Sequence, residues 1–315
     1  MRRYIVNRLI IFIPVLLLVS IIVFSLIHLI PGDPIDVLFS EEVLTPENRA
    51  MHEKALGLDQ PLPLQYLHWT TRMVRGDFGK SIRMGRPILD LILERLPATL
   101  LLTISATIVS ILIAIPAGII AAVKRNTVYD YQFMLLALLG ISLPNFWLGI
   151  LLILFFSAYL GLLPSSGYAA FFASPWVSLK HLILPSITLG TGMAAIVARM
   201  TRSEMLEEIG REYVRTARAK GMPEWQVIFK HTLKNALVPT ITVIGLQFGR
   251  LLGGAIIIEY IFSWPGIGSL VVDAIHSRDY PMVQAVVMMF AVIFVTINFV
   301  VDLLYKMVNP RITLD

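Results

Sequence analysis

The chain has 315 residues, 57% of them hydrophobic and only 15% charged, with a mean hydropathy of +0.76. An ordinary soluble domain carries about 25% charged residues, and a soluble core does not absorb such an excess as long charge-free runs. Without cysteine the chain has no disulfide framework and no Cys-based metal or nucleophile site, and its formal charge of +5 becomes a question of membrane sidedness rather than of nucleic acid.

Six runs are long and apolar enough to cross a bilayer as helices: 9–30, 98–123, 133–160, 181–198, 236–258 and 282–301. All are free of Asp, Glu, Lys and Arg except the fifth, which holds Arg250. Before the first run, Met1-Arg2-Arg3 looks like the charged start of a signal peptide. The run is longer than the roughly 7–15 residues of a signal's apolar region, and no Ala-x-Ala follows, so it reads as a retained span. Pro14, Pro116, Pro144, Pro185 and Pro239 sit inside or at the edges of spans, where neighbouring helices tolerate a kink.

Between the first two runs lies a 67-residue segment, 31–97, with ten acidic and eight basic residues. Pro31-Gly32-Asp33-Pro34, Gly57, Gly76 and Gly85 punctuate it with turns. It reads either as a cap on the outer face or as a docking or gating surface for an external partner.

Lysine and arginine set the orientation. Arg2, Arg3 and Arg8 precede the first run, Lys124 and Arg125 follow the second, eight basic residues crowd 199–235, and Lys306 and Arg311 follow the last. The two short loops on the other side carry only Lys180 and Arg278. The positive-inside rule then puts both termini in the cytoplasm and the long segment outside. The expected organisation is a tail and first span over 1–30, an extracytoplasmic insertion over 31–97, a core over 98–305 with its cytoplasmic loop at 199–235, and a cytoplasmic tail over 306–315.

The cytoplasmic loop carries the sharpest local pattern. Good helix formers run from Glu212 to Ala219. Arg218 and Lys220 suit a helix C-terminus, and Gly221 suits the left-handed residue just beyond it. Met222-Pro223-Glu224-Trp225 restarts a helix expected to run to Asn235. Ala217 and Ala219 leave the first helix thin on one side, open to another protein's groove. The bland alternative is an ordinary basic loop.

The order of residues favours the first. Arg215-Thr216-Ala217-Arg218-Ala219-Lys220-Gly221, followed by Lys230-His231-Thr232-Leu233-Lys234-Asn235-Ala236-Leu237-Val238-Pro239, resembles the signature loop of ABC importer permeases of the dipeptide, oligopeptide, glutathione and nickel branch. The general importer signature is Glu-Ala-Ala-x-x-x-Gly; Arg215-Thr216-Ala217 departs from it in the manner of the peptide branch. The resemblance extends along the chain through Leu29-Ile30-Pro31-Gly32-Asp33-Pro34, Leu56-Gly57-Leu58-Asp59-Gln60-Pro61-Leu62, Arg75-Gly76-Asp77-Phe78-Gly79 and Leu96-Pro97-Ala98-Thr99. It continues through Pro144-Asn145-Phe146-Trp147, Ile261-Phe262-Ser263-Trp264-Pro265-Gly266-Ile267-Gly268, Arg278-Asp279-Tyr280-Pro281 and Asn309-Pro310-Arg311.

That resemblance implies an all-α membrane protein of six transmembrane helices. The fold would be that of a type I ABC importer permease with a large extracytoplasmic insertion after helix 1. It would sit in the bacterial cytoplasmic (inner) membrane as a multi-pass subunit. The partners implied are a homologous second permease, two ABC ATPase subunits and an extracytoplasmic substrate-binding protein, with no nucleic acid. ATP and Mg would be bound by the ATPases, leaving no cofactor and no catalytic residue on this chain. The segment from Arg215 to Glu224 and Trp225, with Met222 and Pro223, would form a coupling helix docked into an ATPase groove. A di- or oligopeptide is the expected cargo, with glutathione, nickel chelates and oligosaccharides as alternatives.

Other patterns carry less. Gly79-Lys80-Ser81 ends like a phosphate-binding loop, but Val74 stands where the first glycine is required. His52-Glu53 opens a zinc-protease pattern that Leu56 breaks, and no Gly-x-Ser-x-Gly elbow occurs. No metal site is expected; His28 and His181 sit at span edges. Gly245, Gly249 and Gly253 form a stripe on the fifth span, for helix packing or as a smooth pore wall. Asn145, Gln247, Gln284 and Asn298 are polar groups within spans, read as interhelical contacts or, for the first three together with Arg250, as a candidate translocation pathway. Arg250 either pins the bundle or faces cargo. A secondary transporter would keep coupling carboxylates at mid-membrane, and the runs hold none.

Overall fold

The structure is a computed structural model that describes residues 2–29, 45–48, 51 and 59–308. The motifs at 30–34, 56–58 and 309–311, and the His52-Glu53 pair, lie outside the described residues. Among the described residues the fold is all-helical, with one isolated bridge between Lys80 and Pro87. Among those residues, four helices are long and apolar enough to cross a membrane, and a fifth crossing arises if a bent pair counts as one span.

The chain forms two compact units, 1–97 with 266–295 and 98–265 with 296–315. In the first, helix α1 (Arg2–Leu29) carries α2 (Leu62–Val74) through an aromatic cluster. The Phe24 ring lies 5.4 Å from Tyr66 and 5.8 Å from Trp69. Ser20 and Tyr66 share a 2.7 Å hydrogen bond, and His28 Nε2 lies 3.2 Å from Gln65 Oε1. The turn around Lys80 and Pro87 leads into α3 (Ile88–Val123). Ser81 donates to the buried carboxylate of Asp279, which also accepts from the Met282 N–H. Asp279 thereby caps α11 (Tyr280–Val308) just after α10 (Ile267–His276).

In the second unit, α6 (Pro175–Ile209) is the most buried of the candidate spans. Lipid offers helices no hydrophobic drive toward each other, so close approach depends on small side chains. A Cβ on Gly190 of α6 would stand 2.6 Å from the Ala106 carbonyl of α3, and one on Gly118 of α3 would stand 2.8 Å from the Ala198 carbonyl. Ser110 donates to the Gly190 carbonyl across that contact. The core continues through Leu102, Leu184, Leu189, Ile258 and Phe262 to Trp264, which is fully buried.

The stretch expected as one span over 133–160 is broken. Helix α4 (Val128–Ser142) stops, and α5 (Asn145–Leu152), prolonged as a π-helix over Ile153–Tyr159, leaves at 105°. Proline drives its predecessor out of the helical region, and Leu143 before Pro144 is extended at ψ 128°. Two other expected ends also move. Helix α6 runs on past the expected span end at Ala198 to Ile209, and the helix expected to end at Asn235 continues: α8 (Glu224–Gln226) passes through a π-turn into α9 (Leu233–Ile261).

Candidate functional site

The loop between α6 and α9 is built from its helix stop outward. Helix α7 (Glu212–Ala219) ends at Lys220, and Gly221 takes φ +77°. The Gly221 N–H donates to the Arg218 carbonyl at 2.9 Å and the Met222 N–H to Ala217 at 3.3 Å. These are the two bonds of a Schellman stop, and the accompanying apolar contact is present too: Met222 packs on Val214, Ala217 and Val227. Pro223 then caps the restart at Glu224. Arg218 forks onto Glu224, Nε to Oε2 at 3.1 Å and Nη2 to Oε1 at 2.6 Å, closing the two helix ends over the glycine. An exposed pair of this kind contributes little stability but fixes a direction.

Arg215, Thr216, Ala219, Lys220, Glu224 and Trp225 face solvent, whereas Ala217 is buried. The reading of Ala217 and Ala219 as one thin side is therefore corrected. Residues two apart on a helix lie on different faces, and Ala217 belongs to the inner one. Behind the loop, Tyr213 joins α6 to α9 through one phenol. It donates to Glu208 of α6 at 2.5 Å and accepts from Asn235 of α9 at 3.0 Å. Loss of solvent around the hydroxyl, and then the Glu208 carboxylate, push its pKa up.

A second site lies among α4, α5, α6 and α9: a cavity of about 250 Å³. Asn145, Gln247 and Arg250 line it together, with Gly140, Gly192 and Gly254 among the other lining residues. Gln284 is elsewhere, its amide donating to the Val23 carbonyl of α1 at 3.0 Å. The glycine stripe divides. Gly245 packs so closely that a Cβ would stand 2.5 Å from Val301, Gly249 is buried, and Gly253 faces open space.

Sequence reasoning passed over Glu259, one residue beyond the expected fifth span. It is fully buried and accepts a 2.6 Å hydrogen bond from Thr99. Nearby, Ser263 adopts φ +48°, the Trp264 N–H returns to the Glu259 carbonyl at 2.7 Å, and the indole donates to Ala98 at 2.9 Å. Two separated motifs, 96–99 and 261–268, meet in this contact. The run of Ser-Trp-Pro-Gly after an apolar helix was the available signal.

Residues 114–314 match the family described as the inner membrane component of binding-protein-dependent transport systems, and residues 1–103 match its N-terminal companion. The chain is 46% identical to the dipeptide transport system permease protein DppB of Alkalihalophilus pseudofirmus, over 99% of both chains. It is 45% identical to the glutathione transport system permease protein GsiC of Escherichia coli K12, again over 99% of both. In fold it resembles a chain of the MetNI methionine ABC transporter, with a TM-score of 0.60 at 20% identity, covering 72% of this chain and all of that one.

Proposed function

The chain belongs to the family of binding-protein-dependent transport system inner membrane components and is the permease subunit of an ABC importer, and on that premise we propose that its cargo is a dipeptide or oligopeptide delivered on the outer side by a separate binding protein. It is not itself an enzyme; ATP hydrolysis resides in separate subunits. The observation that carries the cargo reading is the full-length likeness to permeases named for two peptide cargoes. Glutathione, itself a modified tripeptide, is the second reading on the same ground.

Within that function α1, α3, the α4–α5 pair, α6, α9 and α11 act as six spans with both termini cytoplasmic. The segment from Arg215 to Trp225 acts as the coupling helix against an ATPase. Its support is local: a helix with a fixed stop, a charged outer face and a buried apolar inner face. A second permease completes the membrane pair. The test is ATP-driven uptake into proteoliposomes containing this chain with its cognate permease, ATPases and binding protein. Labelled dipeptide, oligopeptide and glutathione are offered in turn. Uptake of at least one is expected, and a complex that hydrolyses ATP but imports none of them would remove the peptide reading.

A further inference from the structure

We propose that the cavity around Arg250 is a recognition subsite for the free carboxylate of a peptide cargo, with Arg250 as the specificity-determining residue. The proposal rests on the peptide-import reading and deepens it.

Three side chains with unspent polar groups converge on this one cavity. Among the described residues no hydrogen bond or ion pair engages Arg250, Asn145 or Gln247. Polar side chains in a membrane-spanning core normally find partners, because hydrocarbon offers none. An arginine with no carboxylate beside it is the costlier case, and such residues face cavities or pathways rather than lipid. Here Arg250, itself exposed on its helix, lines a space of about 250 Å³.

The chemistry of the lining selects the ligand. Guanidinium matches a carboxylate in planar, bidentate geometry. The amides of Asn145 and Gln247 each offer both a donor and an acceptor, as a peptide group requires. Helix α5 adds a second anion-favouring element. It begins at Asn145 after the 105° break, and no side chain caps its first turn. Discontinuous helices in transporters direct such positive ends toward anionic substrate groups. The space itself is left by glycine: a Cβ on Gly192 would meet Asn145 Oδ1 only at 3.7 Å. The volume falls just below the roughly 300–1,000 Å³ of whole-ligand pockets, so the subsite takes one end of a peptide.

The test uses the complete reconstituted transporter. Initial ATP-driven uptake is compared for a dipeptide and its C-terminal amide, each at saturating loaded binding protein, in wild type, Arg250→Gln and Arg250→Lys. Because the binding protein is unchanged, any change in the acid-to-amide ratio belongs to the permease. Loss of a charge-assisted bond predicts that a wild-type preference of about tenfold or more falls to near unity in Arg250→Gln and is only partly kept in Arg250→Lys, which retains the charge without the bidentate fork. An assembled Arg250→Gln complex with the wild-type ratio overturns the proposal. So does failure of Arg250→Gln to copurify with the second permease, which makes Arg250 an assembly contact. A wild type that imports acid and amide equally overturns the subsite while leaving peptide import intact. Import of neither form counts against the peptide reading itself.

Discussion

At the residue scale, Gly221 and Tyr213 give the proposed coupling segment a fixed shape. Gly221 holds a left-handed backbone between two helix ends, where a β-branched residue is a true outlier. Gly221→Val should add about 1–3 kcal/mol of local strain and reorient α7 against α8. The expected result is normal membrane insertion with several-fold weaker stimulation of the complex's ATPase by loaded binding protein. Wild-type stimulation would show that the stop does not set the coupling angle. Tyr213→Phe removes the hydroxyl that joins Glu208 of α6 to Asn235 of α9. It should lower stability by about 0.5–1.5 kcal/mol and uncouple partially. An unchanged melting temperature and unchanged ATPase stimulation would place the phenol outside the coupling route.

At the scale of elements, the packing of α3 on α6 depends on absent side chains. Gly190→Ala would drive a methyl to 2.6 Å from the Ala106 carbonyl. Overpacking of this kind costs about 1–3 kcal/mol, so the purified chain should melt several degrees lower in detergent. Gly253→Ala meets nothing within 4 Å and should melt as wild type does. Equal melting of the two variants would contradict the packing described. These contrasts mark what was legible in sequence. Helix α7 and its glycine stop could be read because a Schellman motif is written in consecutive residues. Pro144 announced a disturbance, but nothing local specifies a 105° break, which depends on what packs on either side. Gln284 had the same chemistry as Gln247, and only tertiary structure separates an amide spent on the α1 backbone from one facing a cavity. Glu259 was missed because a hydropathy run ends where a charge begins, whereas the helix does not. The convergence of Asn145 and Gln247 with Arg250, from α5 and α9, lay beyond any window along the chain.

At the scale of the whole molecule, the proposed topology makes a simple demand on reagents. The chain has no cysteine, so single introduced thiols report sidedness without background. Asn48→Cys should react with an impermeant maleimide in intact spheroplasts, and Thr216→Cys only after permeabilisation. The reverse pattern would invert the orientation. The unbroken run of α6 to Ile209 has a further consequence for such a molecule. From Pro185 to its tip at Ile209 the helix measures about 36 Å at 1.5 Å per residue, more than the roughly 30 Å of hydrocarbon. Such a rod behaves as a lever arm with its fulcrum in the glycine-lined packing on α3. A tilt of about 10° there, about 28 Å from the tip, sweeps the tip through about 5 Å, close to one full helical turn. Movement at the inner face is thus geared down as it enters the membrane. Under the proposed coupling, an ångström-scale rearrangement around the cavity would correspond to a stroke large enough for a soluble motor to grip.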